Sequence, residues 1–115
     1  MEVRQQLLDT PAERVSPELA QAVTTFCEPI RAIRAAYVGL IEISIDGGGP
    51  ERHLGVGFAL ADLAETVAGD RELHVVAERF YDSMPEELQR GGCSFLEGTG
   101  LDAWQEKAQE VYSRP

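Results

Sequence analysis

The sequence predicts an α+β fold, a mainly antiparallel sheet of about four or five strands with helices packed on it. Three observations predict it. Two runs with strand-like alternation, Ala36 to Ile45 and His53 to Leu60, flank the turn Asp46-Gly47-Gly48-Gly49-Pro50, where glycine reaches positive φ without steric cost. Segments with helical spacing and helix-start chemistry stand on either side of this hairpin. The chain has 115 residues, 43% of them hydrophobic, which is enough for one core without disulfide staples.

Taken in order, Val3, Gln5 and Leu7 alternate weakly and suggest a short first strand, followed by a polar loop from Asp9 to Ser16 that contains Pro11. Ser16-Pro17-Glu18 is a helix start. The serine can cap free backbone N–H groups, the proline fits the first turn, and the glutamate favours the positive helix end. Leu19, Ala22, Val23 and Phe26 then mark one buried face, and Pro29 ends the helix near Cys27. In the strand Ala36 to Ile45, Tyr37, Ile41, Ile43 and Ile45 share one face, while Val38, Leu40, Glu42 and Ser44 share the other. Its hairpin partner carries Leu54, Val56, Phe58 and Leu60 on one face and His53, Gly55, Gly57 and Ala59 on the other.

The second half is punctuated more often. Asp62 to Glu65 has capping-box spacing and opens a short helix that Gly69 ends. Leu73 to Ala77 reads as a third strand. Ser83-Met84-Pro85-Glu86 reads as a second capping box, opening a helix through Leu88 that Gly91 and Gly92 close. Cys93 to Leu96 reads as a fourth strand. Thr99 to Asp102 begins a last helix whose face is lined by Leu101, Trp104, Ala108 and Val111, with Tyr112 beside them. The order is roughly (β)αββαβαβα, with the helices expected on one face of the sheet. Residues 1–97 form the α+β unit, and residues 98–115 form an amphipathic helix packed on it.

Charge narrows the function classes. Ten basic residues face twenty acidic ones, for a net charge of -10. Such a surface repels phosphate backbones, so nucleic acid is not an expected partner, whereas a basic protein is. The polar start from Glu2 to Gln6 lacks the apolar core of a signal segment, and no run is long enough to span a bilayer. A cytoplasmic protein without membrane contact is expected. The two cysteines lack metal spacing and read as free thiols of a reducing compartment.

No motif carries chemistry. His53 and His74 could act as bases or ligands, but a metal site would need a third group such as Glu42 or Cys93, and no local spacing supplies one. Cys27 lies beside Phe26 on an amphipathic helix and reads as a core thiol. Cys93 follows two glycines, with no adjacent base to activate it. Gly47 to Gly49 lacks the lysine and the following helix of a phosphate loop, and Gly55 and Gly57 do not form a dinucleotide fingerprint. These two glycines read instead as positions that let a helix or a partner approach closely.

The order of several segments resembles the C-terminal domain of the SseB (enhanced serine sensitivity) family. They are Pro11-Ala12-Glu13, Pro17-Glu18-Leu19, Ile33 to Val38 with its Ala36-Tyr37 pair, and His53 to Phe58. They continue with Leu73 to Val76, Met84 to Leu88, and Gly92 to Leu96, together spanning about residues 2–97. Where that family ends near Pro-Phe-Tyr, this chain has Cys93-Ser94-Phe95-Leu96, and it adds the terminal helix. The resemblance implies no catalytic residues, and no cofactor is expected.

The expected function is therefore that of a non-enzymatic protein-interaction module. Its expected contact residues are Gly47, Gly48, Gly49, Gly55, Gly57, Trp104 and Tyr112. Homodimerisation through an open sheet edge or the last helix is a further expectation. One specific form is an acidic inhibitor that masks a basic enzyme. The rival reading is a small-molecule sensor or enzyme whose pocket gathers His53, His74 and Cys93. It requires those groups to converge, and it fails if the two histidines lie on opposite faces.

Overall fold

A computed structural model describes residues 2–60 and 69–114. The strands are β1 (Val3–Leu8), β2 (Ile33–Ile45), β3 (Glu51–Leu60), β4 (Cys93–Leu96) and β5 (Gln109–Ser113). The helices are α1 (Pro17–Cys27), α2 (Gly69–Ser83), α3 (Glu86–Gly91) and α4 (Gly98–Lys107), with a 3₁₀ turn at Ala12–Arg14. The fold is α+β, with a mostly antiparallel five-stranded sheet.

The hairpin at its centre forms as the alternation requires. β2 and β3 pair antiparallel, with Val38 opposite Val56 and Ile41 opposite His53. The turn between them places Asp46 and Gly47 at positive φ. α1 also follows its sequence signals, since the Ser16 hydroxyl accepts the Leu19 N–H at 3.2 Å. β4 joins the far side of β3, in parallel. On the near side, β2 is long enough to take two partners end to end. β1 pairs with residues Leu40 to Ile45, and β5 with residues Ala35 to Val38.

Several expectations are corrected. Leu73 to Ala77 is not a strand but part of α2, because Val76 and Phe80, both buried, lie four residues apart on one helical stripe that Met84 continues. Ser83 ends α2 rather than capping α3, whose N-cap is Pro85 without a side-chain bond. Gly69, read as a helix end, is itself helical within α2, and the rest of the helix expected from Asp62 lies outside the described residues. The last helix stops at Lys107, and Gln109–Ser113 is a strand. Val111 and Tyr112 favour extended backbone, and β2 offers them an unpaired edge where β1 has ended.

The helices also lie on both faces of the sheet, not one. On the first face α1, α2 and α3 bury Val23, Phe26, Phe80 and Leu88 against Val38, Leu54, Val56 and Phe58. Phe26, Phe58 and Phe80 meet there with ring centroids 5.7–6.3 Å apart. On the second face, Trp104 of α4 packs with Ala35, Tyr37, Ile41, Ala59 and Leu96. The chain changes faces after α4: Leu101 and Ala108 pack with Trp104, whereas Val111 and Tyr112 pack on the first core.

Three polar side chains, those of Thr10, Gln109 and Arg114, weld β5 into place. The buried Thr10 hydroxyl accepts the Leu40 N–H at 2.8 Å and donates to the Leu8 carbonyl at 3.2 Å, bridging the point where β1 leaves β2. The Thr10 N–H donates to the Lys107 carbonyl, and Gln109 Nε2 donates to the Thr10 carbonyl at 2.7 Å. The Arg114 guanidinium donates to the carbonyls of Cys27, Glu28, Ile30 and Ile33, at 3.1–3.3 Å. It thereby serves the carbonyl end of α1, where a cation is favoured.

Candidate interaction edge

The residues expected to make contacts fall into two groups. Gly55, Gly57 and Trp104 are used inside the molecule. Trp104 is 8% exposed, and a Cβ on Gly57 would lie 2.9 Å from its Cε3. A Cβ on Gly39 would lie 2.8 Å from its Cζ3. The indole therefore rests on a floor that only glycine provides. Gly55 makes room for Ile41 and for the backbone of Gly91. Tyr112 is half-buried on β5, with the Arg114 guanidinium 5.8 Å from its ring centroid. The turn Gly47 to Gly49 is exposed, and no atom lies within 4 Å of a Cβ built on Gly47 or Gly49.

The groups of the catalytic reading do not converge. The register puts His53 opposite Ile41, on the Trp104 face, where it meets Glu51 at 3.2 Å. His74 is exposed on α2, which packs on the other face, and meets Glu78 at 3.1 Å. Cys93 packs with the first core, opposite Val56. The histidines stand on opposite faces, so the pocket that would have joined them does not form. Among the described residues no group of three or more His, Cys, Asp or Glu side chains is placed to hold a metal ion.

Neither thiol is activated. Burial pushes Cys27 up to about 12, against a smaller opposing pull from Arg114. Burial also raises Cys93, offset in part by a backbone hydrogen bond. Cys27 should resist iodoacetamide at pH 8 in the folded protein and react once guanidinium unfolds it, as mass spectrometry would read; rapid native labelling would contradict its burial. Above its ordinary value of 9.0 the unfolded thiol ionises while the folded one keeps its proton, so stability falls as pH rises from 9.0 toward about 12. The slope approaches ~1.4 kcal/mol per pH unit.

What the geometry does offer is β1. Among the described residues it pairs only with β2, and Val3 to Gln6 are exposed. Its phase is fixed at one end, where the Asp46 N–H donates to the Glu2 carbonyl at 2.8 Å and the Glu2 N–H donates to Asp46 Oδ1 at 2.6 Å. Antiparallel pairs alternate between bonded and non-bonded, so Glu2, Arg4, Gln6 and Leu8 turn their backbone groups toward β2. Val3, Gln5 and Leu7 turn theirs outward. Val3 lies opposite Ile45, and the two are 48% and 52% exposed. On the other face of these two strands a 690 Å³ depression is lined by Arg4, Gln6, Glu42 and Ser44, and a 310 Å³ depression links Glu2 and Arg4 to Gly47 and Gly48. α4 contacts β1 on the Trp104 face and holds Asp102 and Glu106 exposed.

Sequence reasoning named the glycine turn but missed β1 as the edge. The signal was present in the alternation of Val3, Gln5 and Leu7, with no proline in the strand. No helix among the described residues is long and apolar enough to cross a membrane. No family model, curated protein or solved structure matches the chain.

Proposed function

We propose that this domain is a non-enzymatic protein-interaction module that accepts an extended segment of a basic partner along β1, continuing the sheet by one strand. The observation that carries this reading is the outer edge of β1, unpaired among the described residues, with the backbone groups of Val3, Gln5 and Leu7 directed outward beside the exposed Val3 and Ile45 pair. Main-chain bonds would supply affinity in such a complex, and the apolar pair would set register. The net charge of -10, with Asp102 and Glu106 exposed on the neighbouring helix, supports a basic partner. Two copies of this chain repel each other by the same charge, which supports a different protein over a homodimer. The resemblance to the SseB C-terminal domain belongs to this proposal through the order of its segments, and a binding role without catalysis is compatible with it.

The test is a proline at Gln5. That residue's N–H points away from β2, so Gln5→Pro removes an outward donor and leaves the β1–β2 ladder intact. Affinity capture by wild type and by Gln5→Pro at low and high salt, read by mass spectrometry, gives the result. A stoichiometric basic partner held by wild type, lost from Gln5→Pro and released by salt is expected. Equal capture by the two proteins would sink the edge as the binding site.

A further inference from the structure

A second feature lies on the opposite side of the molecule from α4 and is independent of the strand edge. Two contiguous depressions, of 390 and 380 Å³, run between the end of α1 and α2 and share Pro29, Ile30 and Arg79. Volumes of this size are those of small-molecule sites. The first is walled by Pro29, Ile30, Val75 and Val76 and carries Arg31 and Arg79; no acidic residue is among its described lining. The second continues over Phe26 and Met84, again without an acid among the described lining.

The groove places two cations on a chain that is acidic overall. Acidic residues outnumber basic ones twenty to ten in this chain, and Arg4, Arg52 and Arg90 each form an ion pair with a glutamate. Arg31 and Arg79 form none with a described residue. They stand instead at an apolar groove with Val75 43% exposed at its rim. A guanidinium presents its donors as a planar fork that matches a carboxylate, and Pro29, Ile30 and Val76 offer an apolar surface next to that fork. A polyanion is disfavoured by the overall charge, whereas a single carboxylate with an apolar tail meets both features at the lowest electrostatic cost.

We propose that this groove binds an amphipathic monocarboxylate, with the carboxylate on Arg79 and Arg31 and the tail along Pro29, Ile30 and Val76. The ligand class is set by the two cations and the apolar wall together. Arg79 lines both depressions and is the central anchor.

The experiment is an amide NMR titration of the whole chain with octanoate and, separately, octan-1-ol, which has the same tail without the charge. Octanoate is expected to shift the Ile30, Ala32, Val76 and Arg79 amides saturably, and octan-1-ol is not. Arg79→Gln should weaken octanoate binding by about tenfold or more, since it removes a charge-assisted pair. Arg90→Gln, an exposed arginine elsewhere, should leave it unchanged. Retained α1 amide shifts in Arg79→Gln show that the variant is folded. No saturable shift at these amides, equal binding of octan-1-ol, or unchanged affinity in Arg79→Gln would each overturn the proposal. None of these results bears on the β1 edge, so the two readings fail separately.

Discussion

Replacing Trp104 by alanine should lower stability by about 3–5 kcal/mol, a large fraction of the roughly 5–15 kcal/mol that a small domain has. The side chain is 8% exposed and sits at the centre of the second core, over Tyr37, Ile41, Ala59 and Leu96. Its loss leaves a cavity over a floor of glycines, which have no side chains to refill it. The same geometry predicts a coupling. In the native protein Gly57→Ala drives a methyl to 2.6 Å from Leu96 Cδ1 and to 2.9 Å from Trp104 Cε3, so it should destabilise by about 1–3 kcal/mol. In the Trp104→Ala background only the Leu96 contact remains, so part of that cost should vanish. Urea unfolding of the two single variants and the double variant, followed by circular dichroism, measures the difference. Additive losses would mean that Gly57 does not make room for the indole.

The second large effect is expected at Thr10. Thr10→Val keeps the shape and removes the hydroxyl, so the buried Leu40 N–H loses its 2.8 Å acceptor and the Leu8 carbonyl loses its 3.2 Å donor. An unsatisfied buried backbone group costs about 1–3 kcal/mol. Thr10→Ser should recover most of that loss, because the hydroxyl returns and only a methyl is missing. The damage should also be local. Thr10 joins β1 to β5 through the Lys107 carbonyl and Gln109, so amide exchange should quicken at both strands before the α1 amides respond. A global loss with no local quickening would contradict the role of Thr10 as a weld between two strands.

These two positions also show what the sequence made legible. The β2–β3 hairpin could be read because two runs rich in aliphatic and aromatic residues, Tyr37 to Ile45 and Leu54 to Leu60, flank a glycine turn. α1 could be read because Ser16, Pro17 and Pro29 mark its ends. α2 was misread because Leu73 to Val76 is locally strand-like, while the helical stripe emerges only when Val76, Phe80 and Met84 are taken together. β5 was misread because Val111 continues the spacing of Trp104 and Ala108, and nothing local reports that β2 has an edge to fill. Trp104 and Tyr112 looked like interface anchors for a similar reason. Glycines at 39 and 57 become a seat for an indole only once β2 and β3 are side by side and α4 crosses them. Thr10 lay in a segment that reads simply as polar, and its partners are Leu40 and Gln109, 30 and 99 residues away.

The candidate site was legible in part. Gly47 and Gly48 border the exposed end of β1, a neighbourhood that their turn chemistry alone does not report. The edge itself depends on which side of β2 the first strand occupies, and on α4 covering one end of that face while leaving Val3 and Ile45 open. Periodicity within one strand cannot report either arrangement.

Among the described residues β1 presents an open edge, with the amides of Val3, Gln5 and Leu7 outward and those of Arg4, Gln6 and Leu8 turned toward β2. Residue-resolved hydrogen exchange of the free protein by NMR is the decisive test. Fast exchange at Val3, Gln5 and Leu7, alternating with slow exchange at Arg4, Gln6 and Leu8, is the predicted result. Slow exchange at all six amides across protein concentrations would mean that the edge is already covered, and would contradict the claim.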